Sequence, residues 1–274
     1  MFTLNCNGKI VEFNEPIVMG IINTTPDSFY EKSRQATIDD ALYIAEKMLN
    51  EGATILDIGG QSTRPGSEMI SVDEELKRVI PIIESFHKNF PETIISVDTF
   101  QSQVAKHAVD AGARMVNDIS GGNLDAEMFS TVAKLKVPYV CMHMKGNPQS
   151  MQSHSNYIDV VSEVKNYFID KIALAGEAEI ENIILDIGFG FAKTAEQNFN
   201  LVKNLKEFKS LQKPLLLGVS RKSSIYKTLG ITADEALNGT TVLNTIGILN
   251  GANILRVHDV KEAVEVIKLS KYFV

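Results

Sequence analysis

The sequence has no tryptophan, only two cysteines and only eight prolines in 274 residues, and each scarcity removes a class of protein. Cys6 and Cys141 lie far apart and match no zinc or redox spacing, and two cysteines make no disulfide framework. Cys141 sits inside an apolar run, so both read as buried, reduced thiols. No block of like charge forms a basic stripe, and 34 acidic residues against 27 lysines and arginines leave a net charge of −7. That balance argues against nucleic acid or an anionic membrane surface as partner. No apolar run approaches the ~20 residues of a membrane span. The opening MFTLNCNGKIVEF alternates polar and apolar residues about an Asn7-Gly8 pair and lacks the apolar stretch of a signal peptide. The expectation is a cytoplasmic protein whose first dozen residues form a β-hairpin.

What the chain does have is a recurring unit. Short β-rich apolar runs appear at 17–23, 54–60, 94–99, 115–120, 138–144, 183–189, 214–220 and 253–258. Segments with helical spacing lie between them, among them DDALYIAEKMLNEG, VDEELKRVIPIIESFHKN, SQVAKHAVDAG, YIDVVSEVKNYFIDKIALAG and NFNLVKNLKEFKSL. Several end in glycine, as helix C-termini often do. Strands that alternate with helices pair in parallel. Eight such units fit a closed (β/α)8 TIM barrel better than an open doubly wound sheet. With no linker-like composition break, residues 1–274 read as a single domain, with the N-terminal β-hairpin at the bottom of the barrel.

Every one of these runs begins apolar and ends in polar or ionisable residues: Asn23, Asp57, Asp98, Asn117 with Asp118, His143, Asp186, Ser220 with Arg221 and Lys222, and Arg256 with His258. In a parallel barrel those ends share the face that carries active sites. Taken singly, each has a plain explanation. Asp98 or Thr99 could cap the helix starting near Gln101, Asp57 could hold the Gly59-Gly60 turn, and Asn117 or Asp118 could satisfy turn backbone. Eight such explanations at once are a poor account, because buried charges cost several kcal/mol each unless paired or used. Two loops, Asn23 to Phe29 and Gln61 to Ser67, are rich in hydroxyls and amides and carry an arginine, the donor set that phosphate oxygens accept.

The segments MGIINTTPDSF, GATILDIGGQSTRPGS, ISVDT, NDISGG, MHMKGNPQSMQ, ILDIGFGFAKT, LLGVSRKSSI and GTTVLNTIGILNGANILRVHDV resemble, in order, those of the bacterial dihydropteroate synthase family. The resemblance covers about Met19 to Val260 and implies the same barrel. It also implies a reaction of folate biosynthesis: 6-hydroxymethyl-7,8-dihydropterin diphosphate and p-aminobenzoate give 7,8-dihydropteroate and pyrophosphate. Asp98, Asn117, Asp186, Lys222 and Met144 match its pterin contacts, with Asp57 nearby. Thr63, Arg64, Arg256 and His258 match its pyrophosphate site, and Ser220, Phe29, Pro65 and Arg64 its p-aminobenzoate site. Asn23 matches its Mg2+ contact, and Lys222, Arg64 and Asp27 are implied nearest the chemistry. Family members are usually homodimers and sulfonamide targets.

The departures are modest. Tyr30-Glu31-Lys32-Ser33 stands where the family usually has Ser-Asp-Gly-Gly, Gln61 replaces a common Glu, Ile187 a Pro and Ala192 a Gly. The alternatives are a pterin-binding methyltransferase barrel, a non-catalytic pterin-binding relative, or another phosphate-handling barrel such as an aldolase. A methyl carrier needs neither Ser220-Arg221-Lys222 nor the Ser62 to Pro65 loop. A non-catalytic relative would be expected to lose metal, anion or amine contacts, and all three sets are present here. No lone lysine sits centrally in an apolar strand for Schiff-base chemistry. Arg221, on the opposite side of an extended run from Ser220 and Lys222, is expected to pair with an acid outside the pocket.

Overall fold

The computed structural model describes residues 1–6, 8–24, 34–62 and 66–273. Within them, β1 (Phe2–Cys6) and β2 (Lys9–Phe13) pair antiparallel, Phe2 opposite Phe13 and Cys6 opposite Lys9. Gly8 takes a left-handed φ of 86° beside the turn, while Asn7 lies outside the described residues. Eight parallel strands then close a barrel: β3 (Ile17–Asn23), β4 (Ile55–Gly59), β5 (Ile94–Asp98), β6 (Met115–Asp118), β7 (Tyr139–Met142), β8 (Ile183–Asp186), β9 (Leu215–Leu217) and β10 (Ile254–Val257). They pair in chain order, and β10 returns to β3.

Alternation along each strand sorts the interior into layers. Met19, Ile55, Ile94, Met115, Val140, Ile184, Leu216 and Ile254 form one apolar cluster with Leu4 and Cys6 of the hairpin, and Phe2 and Phe13 pack against it. The hairpin therefore plugs the N-terminal end of the barrel. The opposite faces of the strands, Val18, Leu56, Ile95, Val116, Cys141, Leu185, Leu217 and Leu255, join the main core beneath the surrounding helices.

Those helices are α1 (Arg34–Asn50), α2 (Val72–Asn89), α3 (Ser102–Asp110), α4 (Met128–Leu135), α5 (Val160–Glu177), α6 (Ala195–Lys203), α7 (Ser223–Leu229), α8 (Leu237–Leu249) and α9 (Val260–Ser270). Local chemistry fixes several starts. The Ser71 side chain accepts the Glu74 N–H at 3.2 Å before α2, and Thr194 and Gln197 form a reciprocal capping box on α6.

Two expectations are corrected. NFNLVKNLKEFKSL is not one helix: α6 ends at Lys203 and a 3-10 segment, Leu205–Leu211, follows. The run 214–220 yields a strand of only three residues, so Ser220, Arg221 and Lys222 lie on the turn beyond it rather than in an extended strand. Among the described residues no helix is long and apolar enough to cross a membrane.

Candidate active site

The site follows from the strand register. Two residues beyond the apolar layer stand Asp57, Ser96, Asn117, Met142, Asp186, Gly218 and Arg256, and two further on stand Asn23, Asp98, Met144, Ser220 and His258. Hydrogen bonds across the barrel link the two layers. Arg256 donates from Nε to Asp57 Oδ2 and from an η nitrogen to Asp98 Oδ2, each at 2.6 Å, and Asn117 Nδ2 donates to Asp57 Oδ2 at 2.9 Å. Asp57 Oδ1 is buried with no partner among the described residues. One guanidinium thus bridges two buried carboxylates and keeps three of its five N–H donors.

Asp186 anchors the far side. Its Oδ1 accepts the Gly188 N–H at 2.8 Å. A Cβ on Gly218 would lie 3.9 Å from Asp186 Oδ2 and 3.8 Å from Arg256 Cβ, ordinary contact distances, so the strand passes closely between the two groups. Lys222 Nζ donates to the Phe189 carbonyl and stands 4.5 Å from the centre of the Phe191 ring. Phe100, Ile119, Met142, Met144, Met151, Phe191 and Ala192 make an apolar cluster of their own at this end. On the turn, the Ser220 hydroxyl and His258 Nδ1 are 3.0 Å apart.

Burial sets the electrostatics. Desolvation raises Asp98 to about 7 against the pull of Arg256, and Asp57, Glu75 and Asp118 push the same way as burial. Asp186 is raised by desolvation, opposed by Lys222, the Gly188 N–H, Arg256 and Lys193. Desolvation lowers Lys222 to about 8, opposed by Asp186. Both members of the Asp186 and Lys222 pair sit nearer neutrality than in water.

Several plain explanations fail for the site residues and hold for their neighbours. Asp98 caps nothing: the cap position of α3 is Gln101, whose N–H bonds Thr99 Oγ1, while Asp125 accepts from the Ser102 N–H at 2.7 Å. Asp57 does not hold the glycine turn. Asp118, one residue out of register and facing the helices, does satisfy turn backbone: it accepts from Ser120 N, Gly122 N and the Tyr139 hydroxyl. His143 also faces outward, its ring edge-on to Tyr167.

Asp57, Asp98, Asn117, Met144, Asp186, Ser220, Lys222, Arg256 and His258 thus gather at one end, with Asn23 at the rim of β3. Asp27, Phe29, Thr63, Arg64 and Pro65 lie outside the described residues. Arg221 makes the expected outward pair, donating to both oxygens of Asp259 at 2.9 Å, although its φ of 53° and not strand alternation turns it away. The sequence reading missed Lys193 and Glu75. Glu75 is fully buried and accepts from Gln101 Nε2, and its Oε1 has no partner among the described residues. Its position inside an amphipathic helix hid it, whereas Lys193, beside three alternating glycine or alanine positions, carried a signal in GFGFAK.

A closed parallel barrel with buried carboxylates, a carboxamide and two cations against a methionine and phenylalanine wall at the C-terminal ends of its strands has the layout of a barrel enzyme's active site. The family model for pterin binding enzymes matches residues 19–258. The chain is 43% identical over 272 residues to the dihydropteroate synthase of Escherichia coli strain K12, covering 97% of this chain and 94% of that one. The Yersinia pestis dihydropteroate synthase in a sulfonamide drug complex superimposes with a TM-score of 0.93 at 37% identity over 99% of each chain. The Xanthomonas albilineans synthase with 4-aminobenzoic acid does so with a TM-score of 0.91 at 38% identity, over 99% of this chain and 97% of that one. The chain belongs to the pterin binding enzyme family, within its dihydropteroate synthases, and its activity is that transferase activity.

Proposed function

We propose that the barrel mouth joins p-aminobenzoate to the methylene carbon of 6-hydroxymethyl-7,8-dihydropterin diphosphate, with Asp186 as the group that reads the pterin. The C–O bond to the diphosphate breaks, the C–N bond forms, pyrophosphate leaves and the amine releases one proton. The observation that carries this reading is the buried carboxylate of Asp186 beside Arg256 at Gly218, with Lys222 the charge that most opposes its desolvation. A pterin edge presents N–H donors beside a carbonyl, so Asp186 accepts from the 2-amino and ring N–H groups while Lys222 donates to the carbonyl or adjacent nitrogen. Asn117 and Asp98 serve the remaining ring edge, and Met144 packs against the ring plane.

Arg256 has donors left for the diphosphate, and His258, exposed at the rim, stands where an anion enters. Thr63 and Arg64 complete the anion site in this reading, and Arg64 with Asp27 acts nearest the reacting atoms. Ser220 holds the aminobenzoate carboxylate beneath Phe29, Pro65 and Arg64. Holding amine and carbon in line supplies the entropic part of catalysis, and fixed donors at the leaving oxygens the electrostatic part.

Among the described residues no cluster of three or more His, Cys, Asp or Glu could hold a metal by itself. Asn23, at the rim, offers one neutral amide oxygen, which fits a Mg2+ that arrives with phosphate oxygens and keeps its waters. Held there, such an ion would neutralise charge on the leaving diphosphate. We further propose a cytoplasmic, one-domain homodimer; what supports the dimer is an exposed apolar stripe, Val242, Ile246 and Leu249, along α8 with Leu229 of α7 exposed as well.

The test is Asp186→Asn. It removes an ionised acceptor, a loss of about 1.5–3 kcal/mol, so pterin affinity measured by titration should fall by roughly 10- to 100-fold. Unchanged affinity would refute the placement of the carboxylate.

A further inference from the structure

We propose that Lys193 is a positioning residue of the pterin pocket: its buried ammonium ties the loop between β8 and α6 to the end of β7, and so holds Phe191 and the Phe189 carbonyl in register with Lys222 beside Asp186. This rests on the reading of Asp186 and Lys222 as pterin contacts.

Lys193 is 5% exposed. Its Nζ donates to three main-chain carbonyls, Gly188 and Phe191 at 2.9 Å and His143 at 3.3 Å. All three donors are therefore used, and none goes to a carboxylate among the described residues. A buried ammonium without a counterion at hydrogen-bond distance is costly, and neutral side chains pin loops more cheaply. Desolvation pushes its pKa well down, and the charge that opposes this is Asp186.

The loop it holds is unusual. Gly188, Gly190 and Ala192 have φ of 66°, 87° and 50°, so left-handed residues alternate with Phe189 and Phe191. Carbonyls of the loop consequently face two ammonium groups, 188 and 191 toward Lys193 and 189 toward Lys222. A Cβ on Gly188 would meet the His143 carbonyl at 1.9 Å, so the loop passes directly against one of the Lys193 acceptors. The His143 N–H in turn donates to the Asp186 main-chain oxygen at 2.9 Å. The backbone next to Lys193 is fixed by the capping box of Thr194 and Gln197, which begins at the following residue. On the outer side, Gly190 N–H donates to Asn198 Oδ1, and Asn198 Nδ2 to Ser224 Oγ, two residues past Lys222. The polar links thus run from β7 through the loop to the turn that carries Lys222.

Lys193→Met keeps length and removes the donors. Binding of 6-hydroxymethylpterin by calorimetry, KM for each substrate, kcat and melting temperature are measured on it beside Asp186→Asn. The expected result is a tenfold or greater rise in pterin Kd and in KM for the pterin diphosphate, with a clearly smaller rise in KM for p-aminobenzoate, whose contact Ser220 shares the turn with Lys222. Native pterin affinity in Lys193→Met, with Asp186→Asn weakened, overturns the proposal. Equal loss for both substrates together with a lowered melting temperature assigns Lys193 a structural role only and overturns it too. If Asp186→Asn also binds normally, the pocket reading falls and the proposal with it. Should Lys193→Met fail to fold, Lys193→Gln, which keeps one amide donor, is judged by the same split.

Discussion

Among the site residues, burial brings Asp98 and Lys222 close to neutral pH. A carboxyl held at about 7 is neutral below that pH, so its negative charge is lost as pH falls through 7. A lysine lowered to about 8 is an ammonium below that pH, so its donor charge is lost as pH rises through 8. Both groups are in the required state only between these limits. The profile of kcat/KM for the pterin diphosphate, which reports the free enzyme, should therefore bend downward on the acid side near 7 and on the alkaline side near 8. Lys222→Arg, whose guanidinium does not titrate in this range, should abolish the alkaline limb while the acid limb stays. A wild-type profile flat from pH 6 to 9 would remove Asp98 and Lys222 from the binding step. The same shifts oppose folding at neutral pH. The raised Asp98 contributes stability below the ordinary carboxylate pKa and loses it as pH rises through 7, and the depressed Lys222 contributes above its ordinary pKa and loses it as pH falls through 8. The site is thus held charged at the expense of stability, which the apolar layers supply.

Among the elements, the turn after β9 shows how a strained segment is kept in place. Arg221 adopts φ 53° although it is neither glycine nor asparagine, a conformation costing about 1–2 kcal/mol. Its guanidinium offsets this by donating to both Asp259 oxygens and to the Ala233 and Asp234 carbonyls. Its N–H bonds Thr240 Oγ1 at 3.0 Å. Arg221→Ala keeps the strain and loses the side-chain bonds, for about 2–3 kcal/mol of lost stability. Arg221→Gly loses the same bonds but relieves the backbone, so urea denaturation should rank parent, glycine, alanine in falling stability. An alanine variant as stable as the glycine variant would show that the strain is not there. This turn also marks where sequence patterning stopped being informative. Inward register of a strand is legible because period-two alternation fixes it, and so Asp57, Asn117, Asp186 and Arg256 could be read directly from the ends of apolar runs. Past Leu217 the backbone leaves that period, and Arg221 points outward for a reason alternation does not contain, its left-handed φ. Helix α8 was harder still: LNGTTVLNTIGIL has β-branched residues and glycines of low helix propensity, and packing between α7 and α9 decides it. Gln61 shows the reverse, a departure with a local rationale. Its amide donates to the Ser62 and Glu68 carbonyls and accepts from Ile70 N–H, which an ionised Glu could not do at once.

For the whole molecule, the two ends of the barrel divide the work, and the stripe on α8 concerns neither. A glutamate in place of Ile246 should lower the sedimentation coefficient to that of one 30.2 kDa chain if that stripe joins two copies, and an unchanged mass would refute the dimer surface. The sharper consequence concerns the plug. Leu4 is fully buried in the cluster that fills the N-terminal end of the barrel, and the reacting groups begin one layer higher, at Asp57, Asn117 and Arg256. Two residues of strand are about 6.6 Å, so the cavity left by Leu4→Ala opens beneath Ile55 and Ile184 and does not reach Asp186. The variant should lose about 2–4 kcal/mol and melt some 5–15 °C lower. Its pterin Kd at 25 °C should stay within twofold of the parent, since hydrophobic filling at the bottom of a barrel supports stability and its upper loops support chemistry. A pterin affinity that falls more than about tenfold in step with the melting temperature would mean that the layers are coupled, and that the bottom of the barrel sets the spacing of Asp186 and Arg256 across the mouth.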